Sequence, residues 1–358
     1  MRTFKTIHIP IPQNLPERYQ RLFMKKSTYK VPELGVKEYK NVFVSHEGLC
    51  LHRFRLVPYS SFNICTRYDK SFGWQYYKLV LEQYLVSTFG KSLKKISLPA
   101  DTTYAVIHTK WFNYSFWITS SLYRLIMLYK SGKDFTLLYP EEWDDIPYVT
   151  ESLKAFPNLK KYKIPSGVHV HVPHLLMPEV RPFTACFDGT ELQTVRNYMA
   201  AHIPTELLNK IYPEKIYITR KKAKYRKVEN EQEVIDYLTP KGFSVIDFDD
   251  LSFWEQVALM KGVKEFVSIH GAGFSNIIFM QTGGKITELI NEGYAKLEYT
   301  FPFWKQAYVC EQTYIPIFCK PVSETTLLID SQTQVHTRDL LVNQNIVVKI
   351  DKMFDINK

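Results

Sequence analysis

The sequence predicts a two-domain α/β protein whose second domain is an open parallel sheet of the nucleotide-binding kind. Three observations predict it. A chain of 358 residues exceeds the usual reach of one hydrophobic core. Between residues 215 and 290, short apolar runs alternate with helical patterns, the rhythm of βαβ units. Those runs are apolar on both faces, as in strands covered on each side by right-handed crossovers.

Taken in order, residues 215–219 read as a strand, 231–238 as a helix and 243–247 as a strand. Residues 252–260 follow as a helix, 265–269 as a strand, 273–280 as a helix and 285–290 as a strand. Ser252 with Glu255, and Asn230 with Glu233, have the spacing of capping boxes at two helix starts. Gly242 after Pro240, and Gly283 with Gly284 after Met280, supply helix ends. In the first half, strands are expected at 41–44, 49–56, 103–107 and 135–138, with a helix over 115–130. Pro178 and Pro182 interrupt the next stretch, and the boundary is expected beyond it near Pro204. The expected domains are therefore 1–203 and 204–323, with 324–358 as a closing strand and tail.

Composition narrows the function classes. Hydrophobic residues at 45% and charged residues at 23% exclude a disordered chain. A net charge of +10 favours polyanionic partners: nucleic acid, anionic lipid or a diphosphate. No nucleic-acid-binding motif accompanies the charge, so nucleic acid is set aside. Cys50, Cys65, Cys186, Cys310 and Cys319 form no Cys-x-x-Cys pair, which argues against a disulfide framework and a zinc ribbon and for a reducing compartment. Pro10, Pro12 and Pro16 stand where a secretory signal needs an apolar run, and no apolar stretch is long enough to span a bilayer. A cytoplasmic location is expected, with the basic charge suiting peripheral contact at an anionic inner membrane face.

The chemistry concentrates at His270-Gly271-Ala272-Gly273, between a strand and a helix. Small residues at a helix start open backbone N–H groups and a dipole to phosphate, and His270 is placed to hydrogen-bond to that charge. The run from Arg220 to Lys227 begins just past the strand at 215–219. In an open parallel sheet the carboxyl ends of the strands line one crevice, so Arg220 and His270 are expected to face it together. Arg220 and Arg226 are read as phosphate contacts through their planar forks, whereas Lys222, Lys224 and Lys227 read as solvated charge. Glu288, a carboxylate in an apolar strand, needs a partner; two ribose hydroxyls would serve, and a neighbouring Lys or Arg is the plain structural alternative. His169 and His171 would share one face of a strand, but with His174 nearby no clear third and fourth ligands are supplied, and the cluster reads as structural. Asp144-Asp145 and Asp249-Asp250 lack the Asp-x-Asp spacing of a cation site, so no metal is expected and basic groups are left to neutralise a diphosphate.

The series Ile218-Thr-Arg-Lys-Lys-Ala-Lys-Tyr-Arg-Lys227, Asn230-Glu231, Asp250-Leu-Ser-Phe253, Glu255-Gln256, His270-Gly-Ala-Gly273, Asn276, Phe279-Met280 and Glu288-Leu289 resembles glycosyltransferase family 61. The resemblance implies an inverting transferase of the GT-B type, two Rossmann-like lobes with a donor cleft between them. It implies a nucleotide-sugar donor, a UDP-sugar by expectation, with no cofactor and with donor contacts at Arg220, His270 to Gly273, Asn276 and Glu288. Acceptors of the implied class are glycans, lipid-linked sugars or proteins, and surface polysaccharide assembly is the expected setting.

Upstream, Asn113-Tyr-Ser-Phe-Trp-Ile-Thr-Ser-Ser-Leu-Tyr-Arg-Leu125 is similar to the family's N-terminal segment. Asn113, Tyr114, Trp117 and Arg124 fit it, and Arg124 is carried over as catalytic. Phe116, Ser120 and Tyr123 depart from it, standing for a His, an acid and a Pro. A base contact belonging to that His or acid does not transfer. His108 ranks first among other candidates for the base, ahead of Asp188 and His46. The same departures motivate an alternative: a non-catalytic relative that binds a nucleotide sugar or a glycan.

Overall fold

The computed structural model describes residues 3–52, 55–57, 59–60, 94–109, 112–181, 186–223, 227–291, 302–321 and 340–341. The protein is α/β, and its contacts divide it into two units. The first comprises Met1–Lys5 and Lys30–Cys186, and the second Thr6–Tyr29 and Phe187–Lys358. A two-stranded sheet, β1 Phe4–His8 with β2 Thr28–Pro32, lies where the chain passes between them.

The boundary expected at residue 204 thus falls inside the second unit, for two physical reasons. Asp188 caps the helix Gly189–Ala200, its carboxylate accepting from the Thr190 amide at 2.9 Å. Arg196 on that helix donates through Nε to the Ile278 carbonyl at 2.5 Å, binding it to the second unit. Residues 6–29 join the same unit through aromatics: Tyr19 stacks on Phe318 with centroids 3.7 Å apart, and Phe23 meets Trp304 at 4.7 Å.

The first unit contains β3 Val36–Ser45, β4 Cys50–His52, β5 Arg55–Leu56, β6 Lys94–Ser97, β7 Thr103–Val106, β8 Thr136–Pro140, β9 Lys160–Ile164 and β10 Val168–Pro178. Their order is β5-β4-β3-β10-β7-β8-β9, with β6 also on β10. The segment β10-β7-β8-β9 is parallel, and β3, β4 and β5 add an antiparallel margin. Pro173 falls between the two stretches of β10 that pair with β6 and β7, where its missing N–H costs no ladder bond. The helical run over 114–130 starts at the Asn113 cap, whose side chain accepts from Phe116 N at 3.0 Å, and widens to a π-helix over Trp117–Ser121.

The second unit contains β11 Lys215–Ile218, β12 Ser244–Ile246, β13 Glu265–Ile269, β14 Lys285–Asn291, β15 Thr313–Pro321 and β16 Leu340–Leu341. The order is β12-β11-β13-β14-β15-β16, parallel from β12 through β15 and antiparallel at β16. Tyr217, Val267, Leu289 and Ile317 face the helix Glu231–Leu238 through Val234 and Leu238. On the opposite face Phe266 packs against Phe248 at 6.3 Å and Phe274 at 4.9 Å. Helices therefore cover both faces, which is why these strands read as continuous apolar runs.

The Ser252–Glu255 capping box is present on the helix Phe253–Gly262. The one expected at Asn230 is not: Asn230 Nδ2 donates to Glu233 Oε2 at 3.0 Å, and no cap bond reaches the backbone. Gly242 and Gly283 adopt left-handed φ of 85° and 83° at the expected helix ends. The helix expected over 273–280 is a 3-10 helix, Ala272–Phe279. Among the described residues no helix is long and apolar enough to cross a membrane.

Candidate functional site

In the second sheet the chain runs from β11 outward to β12, then returns past β11 to β13. The connections leaving β11 and β13 consequently diverge, and their carboxyl ends frame the crevice that such a reversal creates. Arg220 lies just beyond β11, and His270 and Gly271 directly follow β13.

The two ends meet. Arg220 Nη1 occupies the position that a Cβ on Gly271 would fill. Gly271 is extended, at φ 175° and ψ 171°, so the glycine serves the guanidinium's approach rather than an unusual dihedral. Gly273 serves packing, since a Cβ there would stand 3.1 Å from Phe248 Cδ2.

Arg220 is half-buried; its carbonyl accepts from the Ala223 amide at 2.9 Å, and its guanidinium makes no hydrogen bond or ion pair among the described residues. Burial lowers its pKa, opposed by the charges of Asp249 and Asp247. A guanidinium remains charged under such a shift, so this is a partly desolvated fork with its donors unspent. Beside it the first bond of the 3-10 helix runs from Phe274 N to the Gly271 carbonyl at 3.0 Å. The Ala272 and Gly273 amides precede that bond and have no acceptor within the helix. Cation and amides together are the components of an anion site.

Behind them is a polar chain. Glu288 lies on β14 opposite Ser268 and is 2% exposed. Its Oε1 bonds to His270 Nδ1, and its Oε2 accepts from the Tyr314 hydroxyl on β15. The Tyr314 pKa is raised well above the usual phenol value, by burial first and by the Glu288 charge second, which keeps the hydroxyl a donor. The His270 ring lies 5.0 Å from Phe303, which stacks on Phe274 at 5.0 Å.

Several expected contacts have other partners. Glu288 has one oxygen engaged by His270 and the other by Tyr314, so its partners among the described residues are neither Lys nor Arg. Asn276 is fully buried, and its Nδ2 donates to Gln256 Oε1 at 2.9 Å. Gln256 Nε2 in turn donates to the carbonyls of Phe248 and Leu251 at 3.0 and 3.1 Å. Asn276 therefore ties the 3-10 helix to the turn beneath it. Lys222 is exposed and paired with Asp250, as a solvated charge should be. Arg226 and Lys224 lie outside the described residues, as does Cys65.

His108 and Arg124 belong to the first unit and have structural surroundings. His108 is 1% exposed, with Nε2 3.0 Å from the His46 carbonyl and its ring edge-on to Trp143 at 5.3 Å. Burial pushes its pKa down to about 3, leaving the ring neutral. A Cβ at Gly48 would overlap His108, and Gly48 is left-handed at φ 82°. Arg124 is 1% exposed and donates through Nε and Nη2 to the Pro178 carbonyl at 2.9 and 2.7 Å, and through Nη1 to the Ile107 carbonyl. It pins the end of β7 to the end of β10. Asp188 is occupied as a helix cap, and His46 pairs with Glu142 at 2.8 Å. His169 is buried and His171 packs on Phe43 at 5.0 Å; among the described residues no three His, Cys, Asp or Glu side chains are grouped to hold a metal ion. Among the described residues, Cys50, Cys186, Cys310 and Cys319 form no disulfide.

Tyr314 and Phe303 escaped the sequence reading, which followed the strand-helix alternation only to residue 290. The apolar run over 313–321 was the available signal for another strand, though nothing in it marks Tyr314 as a partner of Glu288.

The family model described as Glycosyltransferase 61 matches residues 82–287, more than half of the chain. The match spans the 113–125 segment, Arg220 and the 270–273 turn. No curated protein matches the sequence.

Proposed function

The chain belongs to glycosyltransferase family 61, and from that premise we propose an inverting, GT-B-type enzyme that moves a sugar from a UDP-sugar to a glycan, lipid-linked or protein acceptor. Family membership makes it a glycosyltransferase, with a nucleotide-sugar donor and a glycan acceptor as the implied partners. The observation that carries the finer reading is the Arg220 guanidinium against Gly271, unpaired among the described residues, at the point where the strand order reverses. A pyrophosphate is the anion of suitable charge and size for a fork, two neighbouring amides and an imidazole.

In this mechanism an acceptor oxygen attacks the anomeric carbon as the bond to the diphosphate breaks. The hydroxyl proton passes to a base, and the nucleoside diphosphate departs with the bonding pair, through a transition state of oxocarbenium character. Arg220, the Ala272 and Gly273 amides and His270 stabilise the charge that develops on the departing oxygen. We assign no base to His108 or Asp188, which are buried among structural partners. Neutralisation by side chain and amide is proposed to need no metal.

Two units that each carry a largely parallel sheet support the GT-B assignment. The net charge of +10 supports work at an anionic inner membrane face in surface polysaccharide assembly. Incubating purified protein with a panel of nucleotide sugars tests the reading. Release of nucleoside diphosphate, strongest with a UDP-sugar, is expected. Nucleotide binding without turnover over a broad acceptor panel would favour the alternative, a non-catalytic binding relative, and absence of binding would overturn both.

A further inference from the structure

Among the described residues Glu288 has two side-chain partners, His270 and Tyr314. It stands on a strand buried on both faces, at 2% exposure. A carboxylate there is expensive, and an apolar side chain of similar volume would serve the sheet better. Its retention calls for a task beyond packing. His270 lies past the end of β13, one strand away and at the edge where Arg220 and the open amides gather. A ring on such a tip has rotational freedom and two tautomers unless something fixes both.

The geometry points to Glu288 and Tyr314 as positioning residues for the phosphate site. Tyr314 fixes the Glu288 carboxylate, Glu288 accepts from His270 Nδ1–H, and His270 thereby meets a diphosphate oxygen through Nε2–H. The inference rests on the reading of this site as the donor's pyrophosphate site. Each link has its own cause. The Tyr314 hydroxyl donates because burial and the facing carboxylate keep it protonated. Glu288 accepts from both sides, so neither oxygen turns away from its partner. A ring that gives Nδ1–H to the carboxylate turns Nε2 outward, and in donating from there to a phosphate oxygen it carries a proton on each nitrogen. Phe303 stands beside the ring at 5.0 Å and is itself held by Phe274, limiting its sideways motion. No bond is made or broken in these links; they set direction and donor character.

The test is a double-mutant cycle on nucleotide affinity by titration calorimetry. The probe is whichever of UDP, GDP, ADP and dTDP the wild type binds most tightly. Glu288→Gln keeps the shape and removes the charge, and Tyr314→Phe removes one oxygen and keeps the ring. In the wild-type background Glu288→Gln should weaken binding roughly tenfold and Tyr314→Phe about threefold, the range expected for a charge-assisted and an indirect hydrogen bond. In a His270→Ala background neither should weaken it further, a dependence that a purely structural role would not produce.

Nitrogen NMR of the His270 ring with the probe bound should show both Nδ1 and Nε2 protonated in the wild type and a smaller doubly protonated fraction in Glu288→Gln. If that variant fails to fold, Tyr314→Phe carries the same cycle. The inference is overturned if both variants bind like wild type while His270→Ala and Arg220→Ala lose affinity, or if the losses persist without His270. If His270→Ala and Arg220→Ala also bind like wild type, or the wild type binds none of the four probes, the pyrophosphate site itself is refuted.

Discussion

The Arg220 guanidinium stands where a Cβ on Gly271 would be, so the bare backbone of one strand tip makes room for the cation of the next. The absent side chain, more than any special dihedral, is what the site uses.

Gly271→Ala is therefore expected to act as an indirect arginine variant. Alanine accepts the extended φ of 175° without strain, and the atom in its way is the end of a flexible side chain. The fold should remain while Arg220 is pushed aside. Nucleoside diphosphate affinity should fall about 10- to 100-fold, the size of one charge-assisted contact. Calorimetry beside a thermal melt checks both halves, and an affinity loss below twofold would show that Arg220 does not depend on this gap.

Much of the second unit was legible because its signals are local. The alternation over 215–290 returned its strands and helices nearly in place, and Ser252 announced its own cap. That Arg220 and His270 face one crevice is an expectation from a rule about strand ends, while the Arg220–Gly271 approach itself depends on the β12-β11-β13 order, set by crossovers that periodicity does not encode. The partners of Glu288 were invisible for a related reason: Tyr314 comes from β15, and its pairing with β14 is long-range. The pattern over 273–280 marks a helix without distinguishing a 3-10 helix from an α-helix, and the structure makes it 3-10. Residues 6–29 were assigned to the wrong side because the contacts of Tyr19 and Phe23 reach Phe318 and Trp304, nearly the full chain away.

His108 should make the fold acid-sensitive. Its folded pKa is about 3 against an ordinary value near 6.5, because burial disfavours the charged ring. Below the unfolded value the unfolded chain takes up a proton that the folded one refuses, so stability falls with pH through that interval. The slope attributable to one proton is about 1.4 kcal/mol per pH unit. This contribution is complete above pH 6.5 and is progressively lost toward pH 3. Denaturant unfolding at pH 7 and pH 4.5 should show a smaller acid loss in His108→Gln than in the wild type. An equal loss in both would remove His108 as the cause.

Arg124 should matter to stability before it matters to turnover. Replacing it by Met leaves the carbonyls at the ends of β7 and β10 without the donors that now join them. Leaving buried carbonyls without their donors costs about 1–3 kcal/mol, a sizeable part of a domain's net stability. Unfolding midpoints measure the loss. A variant as stable as the wild type but inactive would instead return Arg124 to the catalytic role first expected of it.

Asn276 offers the sharpest separation between holding a site and touching a ligand. Its amide binds Gln256, and Gln256 binds the turn carrying Phe248, against which Gly273 packs. Asn276→Ala leaves Gln256 Oε1 with a lost donor in a buried place, at a cost of about 1–3 kcal/mol. The 270–273 turn should loosen with it, raising the donor KM more than it lowers kcat. Gln256→Ala breaks the same pin from the other side and should reproduce both effects, with the two losses far from additive. A direct donor contact at Asn276 predicts another pattern: affinity lost without stability, and no echo at Gln256. Thermal melts and donor kinetics on the two single variants and the double variant distinguish these outcomes, since a buried pin must register in the melt before it registers in the kinetics.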